Sequence, residues 1–292
     1  MGVIERDPHT GHITTGHEWN GIKELNAPVP RAVWLFLAAT VIFSVLWWVL
    51  MPTWPLGASY TKGLLGVDQR NIVAEKVKAA EVDRSAWGKQ IEAKDYKDVL
   101  ADPKLMQTVR ATGHTLFGDN CAACHGFNAK GSKGYPSLMG DAWLWGGTPE
   151  TIAETIRVGI NSTHAESRTA QMPAFGRDQM LPRADIEKIV SYVQGLSDPA
   201  AVKSVTPETL AAGKELFAAN CASCHGENAK GNTELGAPDL TDNLWVYGGD
   251  RQALLDTLWS GRQGHMPTWE HRLSALDRKI LALYLYDKRV NQ

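Results

Sequence analysis

Two short strings constrain this chain more than any other feature: CAACHGFNAKG at 121–131 and CASCHGENAKG at 221–231. They stand 100 positions apart, differ at two of eleven residues, and contain all four cysteines. No thiol is left for a structural disulfide. C-x-x-C-H is the attachment pattern of c-type haem. Cysteines at i and i+3 lie on one side of a helical turn, within reach of the two vinyl groups of one porphyrin. The adjacent imidazole then faces the iron. A thioredoxin-like pair has no need of that histidine, and neither string has the H-x(3–5)-H partner of a zinc finger. Cys121, Cys124 and His125 are expected to hold one covalent haem c, and Cys221, Cys224 and His225 a second.

The sixth position of each iron needs a ligand. Histidine–methionine ligation is usual in electron-transfer cytochromes and raises the reduction potential. Met172 and Met266 each begin a Met-Pro step in a loop-like stretch, and the proline restricts the residue before it to an extended conformation. They are the expected ligands. Met139 and Met180 have no repeat counterpart and read as core filler. His164 and His265 are the alternatives for bis-histidine ligation, but His164 lies in an unmatched insertion and His265 directly precedes the stronger methionine. Sequence alone does not fix which methionine serves which haem: pairing within each repeat is the default, and a crossed arrangement between two abutting repeats is the alternative.

Similarity reaches beyond the strings. Gly113 and Phe117 match Gly213 and Phe217, DAWLWGG at 141–147 matches DNLWVYGG at 242–249, and TIRVG at 155–159 matches TLWSG at 257–261. The two Met-Pro steps lie 94 positions apart, which puts about eight extra residues in the first copy, within 161–171. Ile186, Ile189, Val190 and Val193 give each other helical spacing in a closing helix, as do Leu276, Ile280, Leu283 and Tyr284. A proline-bearing stretch at 197–207 reads as the linker, and 68–102, rich in Ala, Lys, Glu and Asp, as a solvated helical connector. Trp143, Trp145, Trp245 and Tyr247 either bond haem propionates or pack on the haem edge. Arg157 and Arg168 read as a solvated face, with pairing to haem propionates as the alternative, and His114 and His271 as surface residues.

Residues 32–51 carry no charge, and twenty apolar residues match the ~30 Å hydrocarbon core of a bilayer. Trp34, Trp47, Trp48 and Trp54 lie toward its ends, where indole favours headgroups. A cleaved signal peptide is the alternative, with Gly57-Ala58-Ser59 as a small-residue run, but the preceding thirty or so residues and the long apolar run argue against it. Arg6, Lys23 and Arg31 before the segment give a slight bias to a cytoplasmic N-terminus. Haem attachment on the far side of the bacterial inner membrane places everything after the span in the periplasm. With 30 basic against 32 acidic residues, binding to nucleic acid by phosphate neutralisation is a poor expectation.

The modules resemble the cytochrome c fold, in which a small residue and an aromatic on the first helix let the last helix cross closely. The expected fold is mainly α, one N-terminal transmembrane helix followed by two tandem cytochrome c-like domains. Its parts are a cytoplasmic segment at 1–31, the span at 32–51, a periplasmic connector at 52–104, and haem domains at 105–197 and 206–292. Two six-coordinate haems leave no open site for substrate, so no catalytic residue is expected.

One further stretch, TGHEWNGIKELNAPVPR at 15–31, resembles the pre-membrane signature of the diheme subunit (subunit III, CcoP/FixP) of cbb3-type cytochrome c oxidases, with Ala27 interrupting the usual Asn-Pro pair. The resemblance runs through signature, span, connector and both modules. It implies a membrane-bound electron-transfer subunit, not catalytic on its own. Its electrons would come from a donor cytochrome c and go to a monohaem cytochrome c subunit and the haem–copper catalytic subunit of a proton-pumping complex. It also implies the crossed ligation, Met172 to the second haem and Met266 to the first. Rival readings are the electron-accepting cytochrome of a periplasmic dehydrogenase, which would lack the signature, and a diheme peroxidase or gas-binding protein, which needs a vacant iron site.

Overall fold

The computed structural model describes residues 4–291. The chain divides into a unit ending at Val82 and a unit beginning at Asp83. The first unit opens with an antiparallel hairpin, β1 (Thr14–Trp19) and β2 (Ile22–Leu25), in which Glu18 pairs with Lys23 and Trp19 with Ile22. Asn20 and Gly21 join the strands, both at positive φ (49° and 86°). Asn-Gly is the favoured two-residue hairpin turn because both central positions need that conformation. This hairpin is the part of a mainly α fold that periodicity does not announce.

Helix α1 (Arg31–Leu50) starts after Pro30 and contains no buried residue. Among the described residues it is the one helix long and apolar enough to cross a membrane. Exposed apolar surface of that extent is costly in water and favourable in lipid. Helix α2 (Gln69–Ala93) is largely exposed, as its composition predicts, but its last turns bury Gly88 and Ile91.

From Asp83 on, the unit is helical: α3 (Tyr96–Leu100), α4 (Pro103–Asn120), α5 (Ala122–His125), α6 (Pro149–Val158), α7 (Arg183–Ser197), α8 (Pro207–Asn220), α9 (Ala222–His225), α10 (Arg251–Ser260) and α11 (Ala275–Val290). Starts are capped by side chains. Asp102, Thr148, Thr206 and Asp250 each accept from an amide in the first turn, and Ser274 forms a capping box with Asp277. Proline at the first helical position of α4, α6 and α8 forfeits only an amide that would have had no partner.

Two hydrophobic cores form, and neither follows the sequence repeats. The first gathers Phe117 and Val109 of α4, Ile152 and Ile156 of α6, and Ile280, Leu283 and Tyr284 of α11. Ile91 and Val99, from the stretch whose composition reads as a solvated connector, are fully buried in it. The second gathers Ile186, Ile189 and Val190 of α7, Phe217 of α8, and Leu254 and Leu258 of α10. The closing helices are therefore exchanged: α11 of the second repeat packs on α4 and α6 of the first, and α7 of the first packs on α8 and α10 of the second.

The exchange follows from chain connectivity, and two glycines let the helices cross closely. The linker between α7 and α8 is short, and short connections make consecutive helices spatial neighbours. A Cβ at Gly113 would lie 2.7 Å from Cγ of Tyr284, and one at Gly213 would lie 2.9 Å from Cβ of Tyr192. Rings meet at a tilt beside these crossings, Phe117 with Tyr284 at 6.1 Å and Tyr192 with Phe217 at 5.5 Å between centroids. The glycine-and-aromatic pairing foreseen on the first helices is thus present, with the closing helix supplied by the other repeat.

Candidate haem sites

Each haem string sits where a long helix ends. The amide of Cys121 donates to the carbonyl of Phe117 at 2.8 Å, and that of Cys221 to Phe217 at 2.8 Å. One further turn, α5 or α9, follows and ends at a glycine with positive φ, Gly126 (73°) or Gly226 (77°). The first cysteine of each string stands at the start of that turn, which carries the second cysteine and the histidine. In each pair the first thiol is the more sheltered and the second, Cys124 or Cys224, is exposed. Burial, aided by the charge of the second thiol, pushes Cys121 and Cys221 up to about 11, so both are protonated at neutral pH.

Both histidines are oriented by a backbone carbonyl. Nδ1 of His125 donates to the carbonyl of Pro136 at 3.0 Å, and Nδ1 of His225 to that of Pro238 at 3.0 Å. A hydrogen bond there fixes the tautomer and leaves Nε2 with its lone pair free for a metal. Burial holds both imidazoles below their usual pKa, which keeps that lone pair unprotonated. Gly131 lets the carbonyl approach, since a Cβ there would lie 2.7 Å from the backbone of Pro136.

The methionines follow the same exchange as the helices. Met266 packs against the first core and Met172 against the second. Each lies on a short extended segment bonded to the residue just past a helix. Ile160, after α6, and Met266 exchange two backbone bonds of 2.9 Å; Arg262, after α10, and Met172 exchange bonds of 3.0 and 2.8 Å. Gly159 and Gly261, at φ 72° and 69°, close α6 and α10 and allow these segments in.

Of the other residues, some depart from their sequence reading and some keep to it. Arg157 does not lie on a solvated face. It bonds Glu154 at 2.8 Å, Glu166 at 2.6 Å and Glu270 at 3.2 Å. Arg168 is half-buried, with its guanidinium 5.0 Å above the Trp145 ring. His164 has both ring nitrogens engaged, Nε2 with Glu270 at 2.8 Å and Nδ1 accepting from the amide of Glu166 at 3.0 Å, so it has no lone pair for iron. His265 is exposed and bonds the carbonyl of Asn161 at 2.9 Å. His114 and His271 are exposed, and Met180 is 54% exposed. Met139 lies against the first core.

Two buried side-chain nitrogens among the described residues have no hydrogen-bond partner in the protein, Trp143 Nε1 and Arg168 Nε. Buried donors are nearly always paired, and an unmet one costs about 1–3 kcal/mol. Each lacks an acceptor, and a haem propionate would supply one. One sheltered and one exposed thiol three residues apart, an imidazole with a fixed free Nε2, and unpartnered buried donors fit a covalently held haem. Trp143 was foreseen in this role as one of two readings. Arg168 reads from the sequence as a solvated residue first and a propionate partner second, because an isolated arginine gives no sign of being buried.

Comparison with known proteins agrees in every segment. Residues 11–58 match the model of the N-terminal domain of cytochrome oxidase-cbb3, FixP; 110–197 match cytochrome c; and 208–285 match cytochrome c oxidase, cbb3-type, subunit III. The cbb3-type cytochrome c oxidase subunit FixP of Bradyrhizobium sp. (strain ORS 278) is 43% identical over 282 residues, 97% of this chain and 96% of that protein. FixP of Azorhizobium caulinodans is 45% identical over 277 residues, 94% and 92% of the two chains. The subunit CcoP of Azospirillum brasilense is 40% identical over 295 residues, 98% of each. Signature, span and haem modules thus align from end to end, and the chain belongs to the FixP/CcoP family of cbb3-type cytochrome c oxidase subunits.

Proposed function

We propose that this chain is the membrane-anchored diheme electron-transfer subunit of a cbb3-type oxidase. It takes electrons from a donor cytochrome c and delivers them to a monohaem cytochrome c subunit, and so to the haem–copper subunit that reduces oxygen. The observation that carries this reading is the matched pre-membrane signature followed by two haem strings in one chain. That signature argues against a dehydrogenase cytochrome.

When bound, each haem supplies a reversible one-electron couple. The protein's part is attachment, ligation and electrostatics. Cys121 and Cys124 hold the first haem by thioether bonds and Cys221 and Cys224 the second, so neither is lost by dissociation. His125 and His225 supply the proximal nitrogen through Nε2. The exchanged packing supports the crossed distal assignment, Met266 to the first haem and Met172 to the second. A thioether favours ferrous iron and keeps the potentials high. Trp143 and Arg168 receive a propionate of the first haem.

Helix α1 anchors the chain in the bacterial inner membrane, with residues 1–31 in the cytoplasm and the haem-bearing unit in the periplasm. Tethering suits a subunit whose acceptor shares the membrane, because it fixes a high effective concentration. Purification from membranes in mild detergent tests the assignment. Recovery with a haem–copper subunit and a monohaem cytochrome supports it, and recovery with a periplasmic dehydrogenase overturns it.

A further inference from the structure

Asn161 touches both methionine segments. It lies just past the Gly159–Ile160 step, in the unmatched insertion of the first repeat, with φ at 48°. Asparagine tolerates that left-handed conformation better than most residues. Its Nδ2 donates to the carbonyl of Ala170 at 2.8 Å and to that of Gly264 at 2.7 Å. Its Oδ1 accepts from the amide of Ala170 at 3.1 Å, and its main-chain carbonyl accepts from Nδ1 of His265 at 2.9 Å. Ala170 stands two residues before Met172, and Gly264 two residues before Met266.

An amide nitrogen has two protons, and here each is committed to a different segment. The repeat offers no second device of this kind by symmetry, since the position equivalent to Asn161 past Gly261 is the exposed Gln263. One carboxamide therefore ties the approach to both methionines. We propose that Asn161 is a positioning residue shared by the two distal ligands, so that its loss loosens Met172 and Met266 together. This rests on the methionine ligation proposed above.

Four variants of the full chain in detergent test it: Asn161→Gly, Asn161→Asp, Met172→Ala and Met266→Ala. Asn161→Gly keeps the backbone conformation and removes only the carboxamide. Asn161→Asp retains the acceptor for Ala170 and sets an oxygen against two carbonyls. The readouts are the red charge-transfer band of methionine-ligated ferric haem, redox titration, and carbon monoxide binding to the reduced protein. In both Asn161 variants the potentials of both haems are expected to fall. Carbon monoxide binding should rise at both, by about tenfold for a lost hydrogen bond. If only one haem responds, or neither does while each Met→Ala variant loses its own band, the proposal is overturned and the ligation stands. If the band survives in Met172→Ala and Met266→Ala, the ligation fails and the proposal with it.

Discussion

The amide of Met266 donates to the carbonyl of Ile160 at 2.9 Å, and the amide of Ile160 donates back to Met266 at 2.9 Å. This two-bond bridge brings a methionine of the second repeat to the first core, and Met172 with Arg262 repeats it in the other direction. The glycine before each bridge makes it possible. A Cβ on Gly159 would lie 2.8 Å from the carbonyl carbon of Pro267, and one on Gly261 2.9 Å from the amide nitrogen of Ala174.

Gly159→Ala is therefore expected to push Met266 away and Gly261→Ala to push Met172. Left-handed backbone at a non-glycine residue costs of order 1–3 kcal/mol before the clash is counted. Each variant should lower the melting temperature and weaken methionine ligation at one haem, the first for Gly159→Ala and the second for Gly261→Ala. Redox titration resolves the two. An unchanged pair of potentials in both variants would mean the bridges do not set the ligands.

Exchange of the closing helices makes the repeats dependent on each other. A fragment covering 83–197 keeps the first haem string but lacks α11 and Met266. Its first core would lose Ile280, Leu281 and Leu283, all fully buried, at about 1.5–3 kcal/mol each. That loss is comparable to the roughly 5–15 kcal/mol that holds a whole domain folded. The fragment is expected to show no cooperative thermal transition, and adding a separate chain covering 198–291 should restore one. A sharp melt for 83–197 alone would show that the repeat folds on itself.

Much of this arrangement can be read from the chain, because chemistry and periodicity are local. Cysteine spacing, apolar runs and matched flanks depend only on neighbours along the sequence. Which closing helix covers Gly113 does not, since Tyr192 and Tyr284 present equivalent rings at equivalent positions. Only the short path from Ser197 to Pro207 breaks that tie. Long-range burial is likewise invisible locally: Ile91 and Val99 sit in a polar stretch, and Arg168 becomes part of a site only through its packing on Trp145.

Arg168 gives a direct test of the propionate contact. Removing it takes a positive charge and a buried donor from the first haem, so the ferric state gains relative stability. Arg168→Gln should lower the potential of that haem, and Trp143→Phe should lower it by less. Hydrogen bonds to charged groups are worth roughly 1.5–3 kcal/mol, on the order of 60–130 mV for a one-electron couple. On this assignment the second haem should keep its potential. Equal shifts at both haems would place the effect elsewhere.

The cluster around Arg157 predicts how the first distal ligand responds to acid. Arg157 holds the Glu154 carboxyl below its usual 4.5, and His164 followed by Arg157 does the same for Glu270. Glu270 lies four residues past Met266, and Oγ1 of Thr268 between them donates to the carbonyl of Arg157 at 2.5 Å. A carboxylate whose folded pKa is depressed contributes stability that is full above its unfolded value and is lost as pH falls through the folded one. The window therefore lies below pH 4.5, and the Met266 segment should stay in place down to it. Arg157→Leu removes the main partner that holds Glu154 down and the second of the two that hold Glu270 down, so acid loss of the first haem's methionine band should begin at higher pH. Glu270→Gln should flatten part of the dependence, because one of the two titrating groups is gone. Acid titration of the ferric band, haem by haem, measures all three proteins. Coincident midpoints for the native chain and Arg157→Leu would show that the cluster does not fasten the Met266 segment.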